Sequence, residues 1–205
     1  MSISDNDTNF FIEMGCNNSI KAIPFGINVP PLQKANNNGL FFLGSLDWQP
    51  NIDGINWLSK KVASSLLTKV ILAGRNPSKE IRLSDNLVMN GEIDDAQEFM
   101  KRSGIMVVPL FSGSGIRVKI LEAMAWCVPV IATHKAVEGL GLENGKHLLI
   151  TDDPRQFADF ANTLLKDKSL AECLVQNAYE FVQAKYSRQI LTKNLIAFYN
   201  QLLIV

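Results

Sequence analysis

Cysteine is scarce in this chain, and the three residues it has, Cys16, Cys127 and Cys173, lie far apart. They have neither the spacing of a disulfide framework nor that of metal ligands, and they read as buried thiols of a reduced compartment. Histidine is scarcer still, with two residues, His134 and His147, and no His/Cys/Asp cluster suggests a metal. No apolar run approaches the roughly 18 residues of a membrane span. The opening residues, MSISDNDTNF, offer neither a basic region nor an apolar one for a secretory leader, so the expected location is the cytoplasm. Neither sign of charge is in excess, with Lys+Arg and Asp+Glu both at 20, which argues against a nucleic-acid partner. Any anion binding must come from local charge.

What remains is ordinary globular material: 205 residues, 47% hydrophobic and 20% charged, enough to bury a sizeable core. Residues 1–38 do not look like the start of a domain. A short helix is predicted over residues 4–14, capped by Ser4 or Asp5, then an extended run at 20–23 and a Pro-, Asn- and Gly-rich stretch at 24–38. This reads as the remnant of a preceding domain and a linker, with the main domain over 39–205.

From residue 40 the pattern becomes regular. LFFLG at 40–44, KVILAG at 69–74 and NLVMNG at 86–91 are apolar runs ended by glycine, and helices are predicted at about 52–67 and 94–102. Residues 105–133 form a further βαβ unit, with a short strand following at 146–150 and three helices closing the chain. Strands alternating with helices over short connections argue an α/β fold with a doubly wound, Rossmann-like parallel sheet and a helical C-terminal segment.

In such sheets ligands collect at the carboxyl ends of the strands, where helix N-termini converge. The loop there is Phe111-Ser112-Gly113-Ser114-Gly115. Glycines two apart free the backbone to cradle an anion with successive N–H groups, and phosphate is the usual such anion. The dinucleotide fingerprint is not met, since Val118 stands three residues after Gly115, and the Walker pattern is absent. Arg117, Lys119 and Glu122 then sit on an otherwise apolar helix predicted from residue 116 to 127, where charges need partners. A structural reading pairs Lys119 with Glu122 and sends Arg117 to solvent. A functional reading puts both cations on a diphosphate and Glu122 on a ribose diol, whose two hydroxyls a carboxylate can accept. Arg75, coming directly off a strand end, is a further candidate, and His134 a weaker one. His147 and the three tryptophans read as structural.

PLFSGSGIRVKILEAMAWCVPVIAT at 109–133 resembles the donor-binding segment of retaining glycosyltransferases of the two-domain GT-B architecture, group-4 family. Within that family it looks like the branch that reads G-x-G-x-R-x-K-x-x-E-A-M-A with a following P-V. GSLDWQPN at 44–51, AGRNP at 73–77, NGEIDD at 90–95 and VEGL at 137–140 recur in the same order, and IKAIPFGINV at 20–29 is similar to the hinge strand. The resemblance implies that Ser112, Gly113, Ser114, Gly115 and the helix start hold a donor diphosphate, that Arg117 and Lys119 neutralise it as it leaves, and that Glu122 holds the ribose. It places the base against the backbone of Glu92 and Ile93, with Gly44 and Ser45 near the phosphates and Arg75 beside them. It implies no cofactor and no metal, the nucleotide sugar being a substrate. The acceptor, a glycan or lipid-linked sugar, would bind an N-terminal domain of which this chain holds at most the last helix and strand. Alone, the chain would bind a nucleotide sugar and turn over poorly; a full-length enzyme of this kind can associate peripherally with a membrane. The role of Glu138 is open. Two features depart from the wider family: Ser114 stands eight residues before Glu122 where many members have glutamate, and Leu46-Asp47-Trp48 stands where many have Arg and Lys. A sugar-nucleotide epimerase of the same architecture and a non-catalytic nucleotide-binding module are the alternatives.

Overall fold

β1 (Leu40–Leu43) shows why this sequence folds as it does. Its side chains alternate faces, and both faces are apolar. Leu40 and Phe42 enter one core with Val70 and Leu72, while Phe41 enters the other with Met106 and Val108. A strand buried on both sides belongs in the middle of a parallel sheet covered by helices. Removing one such ring, as in Phe41→Ala, costs about 3 to 5 kcal/mol.

The computed structural model describes residues 1–203. β1, β2 (Val70–Ala73), β3 (Leu87–Gly91), β4 (Ile105–Val108), β5 (Val130–Ala132) and β6 (Leu149–Ile150) form one sheet in the order β3-β2-β1-β4-β5-β6, with every pairing parallel. This is the doubly wound architecture read from the sequence. The order reverses between β1 and β4, so the loops after those two strands flank the switch point.

α2 (Gln49–Trp57) and α6 (Pro154–Lys166) cover one face, through Ile52, Ile55, Phe157 and Leu164. α3 (Ala96–Ser103) and α4 (Val118–Ala125) cover the other, through Met100, Ile120, Leu121 and Met124. α7 (Lys168–Tyr186) contributes to both cores, with Leu174 in the first and Val182 in the second. Before the sheet, α1 (Asp5–Glu13) is capped by the Ser4 side chain on the Asp7 N–H; after α7, α8 (Arg188–Leu203) ends the described chain. α2 runs from Gln49 rather than residue 52, and from Leu58 it continues as a π turn and then a 3-10 turn. α4 is shorter than the predicted 116–127. The start is lost because Arg117 takes an N-cap conformation, and the end because Cys127 adopts φ 59. The Cys127 and Val128 N–H groups then close a Schellman turn on Met124 and Ala123, so Pro129 follows a finished helix. Residues 134–137 form a short helix, α5 (His134–Val137). Among the described residues no helix is long and apolar enough to cross a membrane.

Candidate functional site

The glycine loop leaves β4 at the switch point and is anchored at once: the Thr133 hydroxyl, from the end of β5, donates to the Leu110 carbonyl, and the Thr133 N–H to Val108. Gly113 and Gly115 then take φ 96 and φ 86, which L side chains rarely adopt. A Cβ on Gly113 would also stand 3.0 Å from the Trp48 ring and 3.1 Å from the Arg117 guanidinium.

Arg117 explains the shape of this loop. Its Nη1 donates to the Ser114 carbonyl at 2.5 Å and to that of Gly115 at 2.8 Å, and Nη2 donates to Ser112 at 3.5 Å. The Trp48 ring lies 5.6 Å from the guanidinium carbon, and the residue is 8% exposed. Burial lowers its pKa, and the Glu138 carboxylate opposes that effect. Arg117 therefore spends its guanidinium on the loop's own carbonyls instead of extending into solvent. The complementary groups are left over: among the described residues, no N–H from 112 to 117 finds a protein acceptor. A row of unused N–H groups, with the carbonyls of Ser112, Ser114 and Gly115 tied back to a buried cation, has the donors that an anion would need.

Lys119 stands one helical step further, in the first turn of α4. Its Nζ donates to the Leu43 carbonyl at 3.3 Å and to Asn51 Oδ1 at 3.4 Å, and lies 4.5 Å from the centre of the Phe42 ring. These are long bonds to neutral oxygens. Desolvation first, and the nearby Arg117 cation second, pull its pKa down from 10.5 to about 7. Gly44 makes this arrangement sterically feasible, since a Cβ there would stand 3.3 Å from Nζ and 2.9 Å from Asn51 Nδ2.

Glu122, a turn deeper on α4, makes no ion pair or side-chain hydrogen bond among the described residues, so the pairing with Lys119 does not form. Burial raises its pKa. A half-buried carboxylate without a donor is suited to accept hydroxyls from a ligand.

Across the switch point, Leu43, Gly44, Ser45, Gly74, Arg75, Ile93, Asp94 and Ala96 line a hollow of about 270 Å³. Gly44, Ser45, Arg75 and Ile93 are thus brought together, and Glu92 joins them through a 3.1 Å bridge to Arg75 between two exposed side chains. Ser45 donates to Asp47 at 2.5 Å, and Asn76 donates to the other Asp47 oxygen at 2.9 Å, which ties the loops after β1 and β2 together. These bonds, Ser45 first, hold the exposed Asp47 carboxyl below its ordinary pKa.

His134 is engaged elsewhere, its backbone N–H and Nδ1 both on Asp152 at 2.9 and 3.1 Å. His147 is 5% exposed and accepts the Glu143 N–H at Nδ1, the structural role its place in the sequence suggests. Two contributors escape sequence reasoning. Asn51 lies three residues inside α2 from its N-cap, Trp48, and bonds Lys119. Trp48, by sequence a packing residue, is 40% exposed over Arg117. The run D-W-Q-P-N holds both, but nothing local in it points toward a helix some 70 residues later.

Residues 37–167 match the family described as Glycosyl transferases group 1. Among curated proteins, the chain is 26% identical over 166 residues to an uncharacterised 44.6 kDa protein of the cps region of Klebsiella pneumoniae, covering 73% of this chain and 43% of that protein. It is 28% identical over 174 residues to the capsular polysaccharide biosynthesis glycosyltransferase CapM of Staphylococcus aureus, covering 84% and 40%. The chain thus spans less than half the length of these relatives. Among solved structures, a mutant of S. aureus TarM in complex with Fondaparinux, alpha-GlcNAc-glycerol and UDP superposes with a TM-score of 0.78 at 17% identity, over 97% of this chain and 43% of that one. Anabaena HepE in complex with UDP and glucose gives 0.73 at 16%, over 97% and 62%.

Proposed function

The chain belongs to the group 1 glycosyl transferases, and from that premise we propose that its cleft binds the nucleotide-sugar donor of a retaining, metal-independent hexosyl transfer. The observation that carries this reading is the run of unused N–H groups at 112–117, backed by the buried Arg117 and flanked by the uncompensated Lys119. An anion with two phosphates fits that charge, and the UDP complexes of the structural relatives are consistent with it.

As the glycosidic bond to the nucleotide breaks, negative charge grows on the departing phosphate oxygen. Fixed N–H groups and Lys119, already desolvated, stabilise that charge more than they stabilise the intact donor, which is what lowers a barrier. Arg117 contributes by holding the loop in shape. Glu122 accepts the ribose hydroxyls, and the base lies over Ile93 in the hollow shared with Gly44 and Arg75. Residues 39–205 form this donor domain. The acceptor, a glycan or lipid-linked sugar, is bound by a further part of the enzyme that this chain does not span, residues 1–38 being the junction, and the reaction takes place in the cytoplasm.

Titration calorimetry with UDP, GDP and the corresponding sugar nucleotides tests the reading. Saturable binding of one nucleoside diphosphate, weakened at least tenfold by Lys119→Met, is the expected outcome. Absence of binding by both at millimolar concentration refutes it.

A further inference from the structure

Asn51 is 2% exposed, one of few polar residues buried so deeply here. It comes from α2, on the opposite side of the sheet's carboxyl edge from α4, and its two amide atoms do different things. Nδ2 donates to the Ser45 carbonyl at 2.7 Å, which holds the turn after β1. Oδ1 accepts from Lys119 Nζ at 3.4 Å. An asparagine is the side chain that can do both, because one end is a donor and the other an acceptor.

The geometry points to Asn51 as the positioning residue for Lys119: its amide fixes the ammonium against the end of β1 and ties that placement to the turn carrying Gly44 and Ser45. This inference rests on the donor-binding reading above. The surroundings of Nζ make the amide consequential. β1 offers the Leu43 carbonyl and the Phe42 ring, α4 offers Arg117, a second cation, and among the described residues no carboxylate bonds the ammonium. Asn51 and Leu43 are thus its two hydrogen-bond acceptors. Being neutral, the amide orients Lys119 without offsetting the ammonium's charge, so the protonated form stays available to an anionic ligand.

Asn51→Asp supplies the test, since it keeps size and shape and replaces the neutral acceptor by a charged one. The Lys119 titration is followed without ligand, by NMR of lysine methylated with 13C-formaldehyde, the resonance being assigned by its loss in Lys119→Arg. In Asn51→Asp the midpoint should rise by about one to two pH units, as for an opposite charge within bonding distance. UDP affinity should fall at least tenfold while uridine affinity holds, because a carboxylate now competes with the diphosphate for the same ammonium. An unmoved Lys119 midpoint in the folded variant overturns the inference. If Asn51→Asp does not fold, Asn51→Ser serves: it should weaken UDP at least fivefold and leave uridine unchanged, and equal loss for both ligands overturns the positioning role. Failure of wild-type protein to bind UDP or GDP would instead refute the donor site, and the ligand-free titration would still decide whether Asn51 holds Lys119.

Discussion

On the proposed donor-site reading, Lys119 makes nucleotide binding a proton-coupled event of a definite sign. Its folded pKa lies at about 7, against an ordinary 10.5, because burial and Arg117 both disfavour its charge. At pH 7 about half of the unliganded molecules carry that charge, and at pH 8.5 about one in thirty do. If only the charged form receives a diphosphate, the apparent Kd scales with the inverse of that fraction, so UDP should bind about fifteenfold more weakly at pH 8.5 than at pH 7. The ligand's own terminal phosphate, with a pKa of about 6, contributes little over this window. Calorimetry at pH 8 in buffers of different ionisation enthalpy should show uptake of nearly one proton per UDP bound. Lys119→Arg, which stays charged throughout, should flatten the profile and take up none. Binding that is flat from pH 7 to pH 8.5 with no proton uptake by the wild type would refute the reasoning, since Lys119 would then either be already charged or not face the ligand.

Arg117→Lys should weaken UDP nearly as much as Arg117→Ala, by about 1.5 to 3 kcal/mol, because a point charge cannot bridge the carbonyls of Ser112, Ser114 and Gly115 as a fork does; calorimetry on the two variants checks this, and rescue by lysine would count against it. Glu122→Gln should weaken uridine and UDP by the same factor, whereas Lys119→Met should weaken UDP alone, a contrast readable by NMR titration. Gly44→Ala should weaken UDP at least tenfold, since the new methyl would press on Lys119 Nζ and Asn51 Nδ2 together, with melting temperature as the control for folding.

Much of this was legible along the chain, and the reasons are local. Apolar runs closed by Gly44 and Gly74 announce strands because two-sided burial admits no polar alternation, whereas the strand order, with its reversal between β1 and β4, is set only by packing. The loop 111–115 was legible because two glycines, two cations and a carboxylate fall within a dozen residues. What the sequence alone determined, then, was the sheet, its helices and the glycine loop beside the switch point, each set by periodicity and by residues close in the chain. The tertiary structure decided what those residues do: Arg117 turns inward onto its own loop, Glu122 stays unpaired, and Asn51 reaches Lys119 from the far side of the switch point. Such choices depend on which side chains share a desolvated space after packing, and only the folded backbone sets those distances.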